Sequence, residues 1–332
     1  MTPTPRRLAC QALAATALAS LAAPLLAQTG AAAGYPNKPI KFIVPYTPGG
    51  TTDLIARTIG QKLTEAWGQQ VIVENRPGAA GWLGIQGVAK SPADGYTIGL
   101  TISNIIYAKS LYAKLPFDID KDFEPVSMLS RSALGLVVPA SLPVNTVEEY
   151  VAMARKPGAN ISYGSFGQGT TANIFGETLN LHSKINVTHV PYKGMGPLVT
   201  DLLGGQISSA WMDTASLVPL VQSGKLKTLA MTGTKRINSV PNVPTFQELG
   251  YKGFEPVGFF LVLAPAGTPK DVVGKLSGGI AKALQSPEFS AKLRELGQEP
   301  VGSTAEELGR EMKTLAEFMD RTIKATNIKV DQ

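Results

Sequence analysis

Short apolar runs alternate along this chain with stretches whose apolar residues recur at helical spacing, the pattern of an α/β fold. Residues 39–46 predict a first strand. Residues 51–67 predict a helix, because Leu54/Ile55, Thr58/Ile59, Lys62/Leu63 and Ala66/Trp67 recur at four-residue steps until Gly68 stops them. Residues 70–74 and 97–101 predict the next strands, with Arg76-Pro77-Gly78 turning the chain between them. Thr146-Val147-Glu148-Glu149 is a capping box, so a helix is expected to begin there. Residues 161–163, 187–190 and 226–231 predict further strands. Ser286-Pro287-Glu288 opens a helix with a cap and a proline at its first position. The last helix is predicted to start near Thr304, with Leu308, Met312, Leu315 and Met319 on one face.

Two of the strand-to-helix junctions share a chemistry. Pro48-Gly49-Gly50-Thr51-Thr52-Asp53 follows the first strand, and Gly167-Gln168-Gly169-Thr170-Thr171-Ala172 follows the strand at 161–163. Glycines let backbone N–H groups turn toward a ligand, and threonine caps a helix start. Free N–H groups and the helix dipole make such a start an anion site. Either turn alone also reads as an ordinary tight turn. Two of them, with paired threonines in both, favour two lobes closing on one small acid. The stretch 134–143 is expected to cross between the lobes and 256–265 to return, leaving the C-terminal helices on the first lobe. That divides the chain into lobe 1 (34–135 and 257–332) and lobe 2 (136–256), joined by a two-strand hinge.

Composition narrows the class. Residues 1–33 hold Arg6 and Arg7, no acidic residue and an alanine- and leucine-rich stretch, which reads as an export signal cut after Ala27 or Ala33. Cys10, the single cysteine, leaves with it, so disulfides, thiolate catalysis and cysteine-bound metals are excluded. Without the two leader arginines, the 31 basic residues become 29 against 25 acidic, a net +4. That excess is spread along the chain, which excludes a nucleic-acid partner and mildly favours acidic solutes. His182 and His189 have no acid or nucleophile motif beside them. Ser165 fails the nucleophile-elbow pattern because residue 163 is Tyr. No catalytic residue, metal or cofactor is therefore assigned. The rival reading is a secreted nucleotide-binding oxidoreductase. Gly167-x-Gly169-x-x-Ala172 is a degenerate dinucleotide fingerprint, but the following strand ends in Lys193 instead of the required acid.

The chain also resembles a known family. Tyr35-Pro36-Asn37-Lys38-Pro39-Ile40 and Val44-Pro45-Tyr46-Thr47-Pro48-Gly49-Gly50 are similar to the Bug-type receptors of tripartite tricarboxylate transporters. So are Val73-Glu74-Asn75-Arg76-Pro77-Gly78, Asp94-Gly95-Tyr96-Thr97, His189-Val190-Pro191-Tyr192-Lys193-Gly194, Val243-Pro244-Thr245 and Ala264-Pro265-Ala266-Gly267-Thr268-Pro269. These blocks run in family order through the chain beyond the leader. The resemblance implies a two-lobed periplasmic binding protein fold, type II-like, with a carboxylate ligand in the interlobe cleft. It implies a periplasmic monomer that delivers cargo to membrane transporter subunits.

Carried over from that family, the first-lobe contacts fall on Tyr46, Thr47, Gly49, Gly50, Thr51 and Asp53. Those of the second lobe fall on Ser165, Gly167, Gly169, Thr170 and Thr171. Ser103 and Asn104 follow the third strand, where open α/β sheets place ligand groups, and read equally as a helix cap. Asp213 matches a polar position near the ligand's far end and reads equally as a cap. Phe259 and Phe260 stand where the family usually has a hinge tryptophan, and Met212-Asp213-Thr214 departs from the commoner aspartate-asparagine pair. Those departures bear on the ligand, not the fold.

Overall fold

A computed structural model of the chain describes residues 31–78, 81–255, 258–326 and 328. The expected leader up to residue 30 lies outside the described residues, as do Pro256 and Val257 at the expected return crossing. In chain order, β1 (Ile40–Val44) leads to α1 (Thr51–Trp67), β2 (Val71–Asn75), α2 (Trp82–Ala89), β3 (Thr97–Ile102), α3 (Asn104–Leu111) and β4 (Phe123–Ser132). After Ala133 come β5 (Leu134–Pro139), α4 (Val147–Ala154), β6 (Ser162–Ser165), α5 (Thr171–Ser183) and β7 (Thr188–Pro191). Then follow α6 (Met195–Leu203), β8 (Ser209–Asp213), α7 (Thr214–Gln222) and β9 (Leu226–Met231). The last part holds β10 (Gly258–Pro265), α8 (Lys270–Leu284), α9 (Pro287–Glu295), β11 (Glu299–Pro300) and α10 (Ala305–Thr326).

The strands form two sheets, ordered β11-β4-β10-β3-β1-β2 and β7-β6-β8-β5-β9. In the first, β1 runs parallel to β2 and β3, and β10 runs antiparallel to β3 and β4. In the second, β6 is parallel to β7 and β8, and β5 is antiparallel to β8 and β9. Both sheets are covered on two faces. Along β10, Leu261 and Leu263 join one core with α2, α3 and α10, while Val262 and Ala264 join another with α1, α8 and α9. That alternation is the period of two expected of a strand. The second sheet packs α4 and α5 on one face, around Trp211, Phe246 and Phe254, and α6 and α7 on the other.

Helix α1 begins and ends where the spacing predicts, closed by Gly68 in the left-handed region (φ 65), whose N–H bonds to Thr64 O. The capping box also forms: Thr146 Oγ1 accepts the Glu149 N–H at 3.1 Å, and Glu149 accepts the Asn145 N–H. Residues 134–143 are not a crossover; they open with β5, an inner strand of the second sheet whose Leu136, Val137 and Val138 are fully buried. The continuous apolar run of Leu134–Pro139 is that of a strand covered on both faces, and its prolines only end it. Ala133 is the one residue between β4 of the first sheet and β5 of the second, and at β10 the chain is back in the first sheet.

Candidate functional site

The first glycine turn is built by its helix. Gly49 adopts φ 90, and its N–H donates to Asp53 Oδ2 at 3.0 Å, four residues on. Arg57 Nε donates to the same oxygen at 3.0 Å, and Asn75 Nδ2 to Oδ1 at 2.9 Å. Asn75, at the end of β2, also donates to Tyr46 O, so the turn is tied to two strands. Burial alone raises the Asp53 pKa, but hydrogen bonds from Arg57, the Gly49 backbone and Asn75 outweigh it and hold the carboxyl below its usual range. Asp53 is thus a buried, ionised brace. The Thr51, Thr52 and Asp53 N–H groups lie in the first turn of α1, where no helix carbonyl reaches them.

The second turn repeats the device with a neutral residue. Gly169, at φ 70, donates its N–H to Asn173 Oδ1 at 3.0 Å, again four residues on. The two turns therefore align glycine to glycine and Asp53 to Asn173. This register pairs the helix caps Gly50 and Thr170, one residue off the register of the threonine pairs. Thr170 spends its hydroxyl on Gly167 O at 2.6 Å. Ser165 Oγ donates to Gly167 O at 2.9 Å and accepts the Gly167 N–H at 3.2 Å. Like Asp53, these groups shape the turn.

Ser165 is also 2.7 Å from His189 Nε2, a pair that chain distance conceals. Its polarity runs against catalysis. Asn173 Oδ1 faces the Gly169 N–H, so Asn173 Nδ2 faces Tyr163 Oη (2.9 Å) and His189 Nδ1 (3.3 Å). Nδ1 is then the acceptor, Nε2 carries the proton, and Ser165 has no base to activate it. His189 also stacks on Tyr163, with ring centres 4.9 Å apart, and Tyr163 Oη donates to Glu177.

Burial lowers the His189 pKa from its ordinary 6.5, with Glu177 partly opposing. The unfolded chain therefore binds the extra proton first. Stability contributed by the neutral ring is complete above about pH 6.5 and is lost as pH falls toward the folded-state pKa. A proton on Nδ1 would confront the Asn173 amide and pull Asn173 from Gly169. Melting temperature and ligand affinity are expected to fall together as the pH drops below about 6.5. Titrating both in the parent and in His189→Gln checks this; the variant should lose that component of the slope.

The two turns sit at the carboxyl ends of β1 and β6. Each neighbours the end of a parallel strand, β3 or β8, so each sheet offers a pair of ends. The two sets face each other: Tyr107 Oη on α3 and Thr171 Oγ1 at the start of α5 are 2.8 Å apart. Tyr46 borders the same place. Burial pushes its phenol up to about 12, tempered by Thr101 and the Ile102 backbone, and its hydroxyl has no well-formed protein partner. Thr47, Gly49 and Gly50 are exposed, while Thr51 is half-buried.

The remaining candidates divide. Asn104, the first residue of α3, keeps a buried Oδ1 with no partner. Ser103 does not cap α3 with its side chain; its N–H donates to Phe259 O and its Oγ accepts the Phe259 N–H, tying α3 to β10. Asp213 caps α7, with Oδ1 accepting the Ser216 N–H at 2.9 Å and Oδ2 the Ser216 hydroxyl at 3.1 Å. Open recesses of about 820 and 960 Å³ lie elsewhere, one lined by Arg131, Ala133, Thr232 and Gly297, the other between α8 and α10. Neither includes a candidate residue. Asn173 and Tyr107 are not among the sequence candidates, and His189 figures there only as a catalytic group set aside. The Gly-to-Asx step of four was a signal for Asn173; nothing local marked Tyr107.

Residues 55–328 match the family described as tripartite tricarboxylate transporter family receptor. Protein BugT of Bordetella pertussis is 35% identical over 293 residues, which cover 88% of this chain and 88% of BugT. The solved periplasmic binding protein BugD is 32% identical, with a TM-score of 0.76, over 89% of this chain and all of BugD. A protein of R. palustris solved with adipate is 33% identical, with a TM-score of 0.79, again over 89% of this chain and 100% of its own.

Proposed function

This chain belongs to the tripartite tricarboxylate transporter receptor family, and we propose that it captures a small carboxylate in the periplasm and hands it to that type of membrane transporter. The observation that carries the reading is the pair of like-built helix starts, Gly49–Asp53 and Gly169–Asn173, on strand ends that face each other across two lobes. Each start turns the unpaired N–H groups of its first helical turn, near Thr51 and Thr171, toward the cleft. A carboxylate satisfies such groups and gains from the dipole. No lysine or arginine is among the candidate residues, so the charge is met by backbone donors and hydroxyls. Tyr46 supplies a donor for a carboxylate oxygen. The Asn104 Oδ1 acceptor takes a water or a ligand hydroxyl.

Capture follows from closure. Lobe 1 comprises the described residues 34–132 and 258–326, lobe 2 comprises 134–255, and the lobes hinge at Ala133. The ligand favours the closed state because only that state completes both sets of contacts. Delivery also requires release, so affinity is micromolar or somewhat tighter, about −8 to −10 kcal/mol. The protein acts as a monomeric receptor, not as an enzyme; the polarity of the Ser165–His189–Asn173 chain supports that. The adipate-bound relative supports a dicarboxylate as first candidate.

Thermal unfolding against acids paired with their amides tests the reading. A ligand at 100 times its Kd adds about 2.7 kcal/mol, a rise of several degrees. A rise with an acid but not its amide is expected. A rise with NAD(P) alone would replace the receptor with the oxidoreductase.

A further inference from the structure

We infer that Tyr107 is the closing contact of the receptor, a positioning residue that sets how long the two lobes stay shut on a bound carboxylate. The inference rests on the interlobe reading of the site. Tyr107 stands on α3, after β3 of the first sheet, and Thr171 opens α5, after β6 of the second. Their hydroxyls meet at 2.8 Å, a bond that exists only while the lobes are together. Tyr107 is almost wholly buried (1% exposed), and burial raises its pKa, so the phenol remains neutral.

The bond does not stand alone. Ile174, three residues into α5, is fully buried in the first-lobe core that holds Ile105, Tyr107 and α10. Helix α10 accordingly touches α5 as well as α3 and β4. An apolar side chain of one lobe is thus seated in the core of the other, and the hydroxyl pair fixes the register of that seat. Nonpolar burial pulls the lobes together without direction; the hydrogen bond gives the closed state one geometry.

Its position ties closure to capture. Thr171 directly follows the cap Thr170, so it belongs to the helix start that receives the ligand. A carboxylate held there steadies Thr171 where Tyr107 meets it, and the bond in turn steadies the helix start. A ligand leaves only through the open state. Losing the bond therefore raises the off-rate, while the encounter of ligand with open protein is unchanged.

The test uses Tyr107→Phe, which keeps the buried ring, together with Thr171→Val and the double variant, and adipate as the probe. Off-rates come from stopped-flow, and closure of the ligand-free protein from small-angle scattering. Each single variant is expected to release adipate about three- to tenfold faster, the effect of one hydrogen bond, and Tyr107→Phe, which leaves every group of the helix start in place, to do so with an unchanged on-rate. The double variant should be no faster than the worse single one, and the variants should open measurably in scattering. Unchanged release in Tyr107→Phe, or strictly multiplicative effects in the double variant, would overturn the closing role while leaving the receptor reading intact. Failure of the parent to bind adipate would strike at the dicarboxylate reading itself, and the closing role would fall with it.

Discussion

Replacing Gly50 with leucine is expected to leave a folded protein that no longer holds its acid. Gly50 caps α1 at φ −81 and ψ 172, extended backbone that any residue adopts. A Cβ placed there meets nothing within 4 Å, so the fold has room for the side chain. The cost to α1 is that of a poorer cap, about 1 kcal/mol at most. The branched side chain would stand where the first-turn N–H groups face their anion. Affinity should drop at least about 100-fold, equivalent to about 2.7 kcal/mol. Calorimetry with the acid identified by thermal shift, beside a melting curve, measures both quantities. A Kd within threefold of the parent would remove the first turn from the site. Gly169 does not allow so clean an experiment. Its φ of 70 strains any larger residue, and its N–H is engaged by Asn173, so binding and folding would fail together.

The second large effect is expected from the smallest of substitutions, Gly176→Ala. A Cβ at Gly176 would lie 2.2 Å from two ring carbons of Tyr163 and 2.6 Å from its hydroxyl oxygen. Tyr163 cannot step aside cheaply. It is buried, stacked on His189, and bonded to both Asn173 and Glu177. Overpacking of this kind costs about 1–3 kcal/mol, so a fall of roughly 5 °C in melting temperature is expected. The damage should also reach function, because the displaced ring carries Asn173 away from Gly169. Weaker ligand binding by about tenfold, or 1.4 kcal/mol, is the expected companion result. Gly278→Ala in α8 is the matched control. Nothing lies within 4 Å of its would-be Cβ, so alanine there should be neutral or stabilising by up to about 1 kcal/mol. Equal melting temperatures for the two variants would contradict the close approach of α5 to Tyr163.

The elements easiest to read were those whose local signals agree with their final packing. Helix α1 has uninterrupted apolar spacing and a glycine stop, and both bounds follow from them. Strand β9, whose apolar residues Leu226, Leu229, Ala230 and Met231 are buried, matches its predicted residues. Where local and tertiary demands diverge, the reading failed. Helix α8 carries Gly274, Gly278 and Gly279, residues that disfavour a helix. Gly279 is there because α8 crosses α1 closely; a Cβ would come within 2.4 Å of Trp67. Strand β4 contains Glu124, Pro125 and Arg131 and breaks the alternation. It forms because β10 pairs along its length, with register shifts.

The same division runs through the site. The glycines, the threonines and the strand-turn-helix order are local, and they sufficed to locate two glycine-built helix starts and the family they resemble. Which groups brace those starts and which remain to meet a ligand was not local. Asp53, Ser165 and Asp213 read as candidate contacts in the sequence, and only the fold shows that they also bond within the protein, to Gly49 and Arg57, to Gly167 and His189, and to Ser216. A polar residue next to a glycine turn is legible as chemistry, but its partners are decided by what the fold brings within 3 Å. Tyr107 is the extreme case. Nothing in its neighbourhood along the chain distinguishes it, and only the meeting of two sheets set its hydroxyl against Thr171. Backbone propensity and residue type act over a few residues and are written in order along the chain. Hydrogen bonds between lobes depend on packing between residues far apart in it, and that packing exists only once the fold is complete.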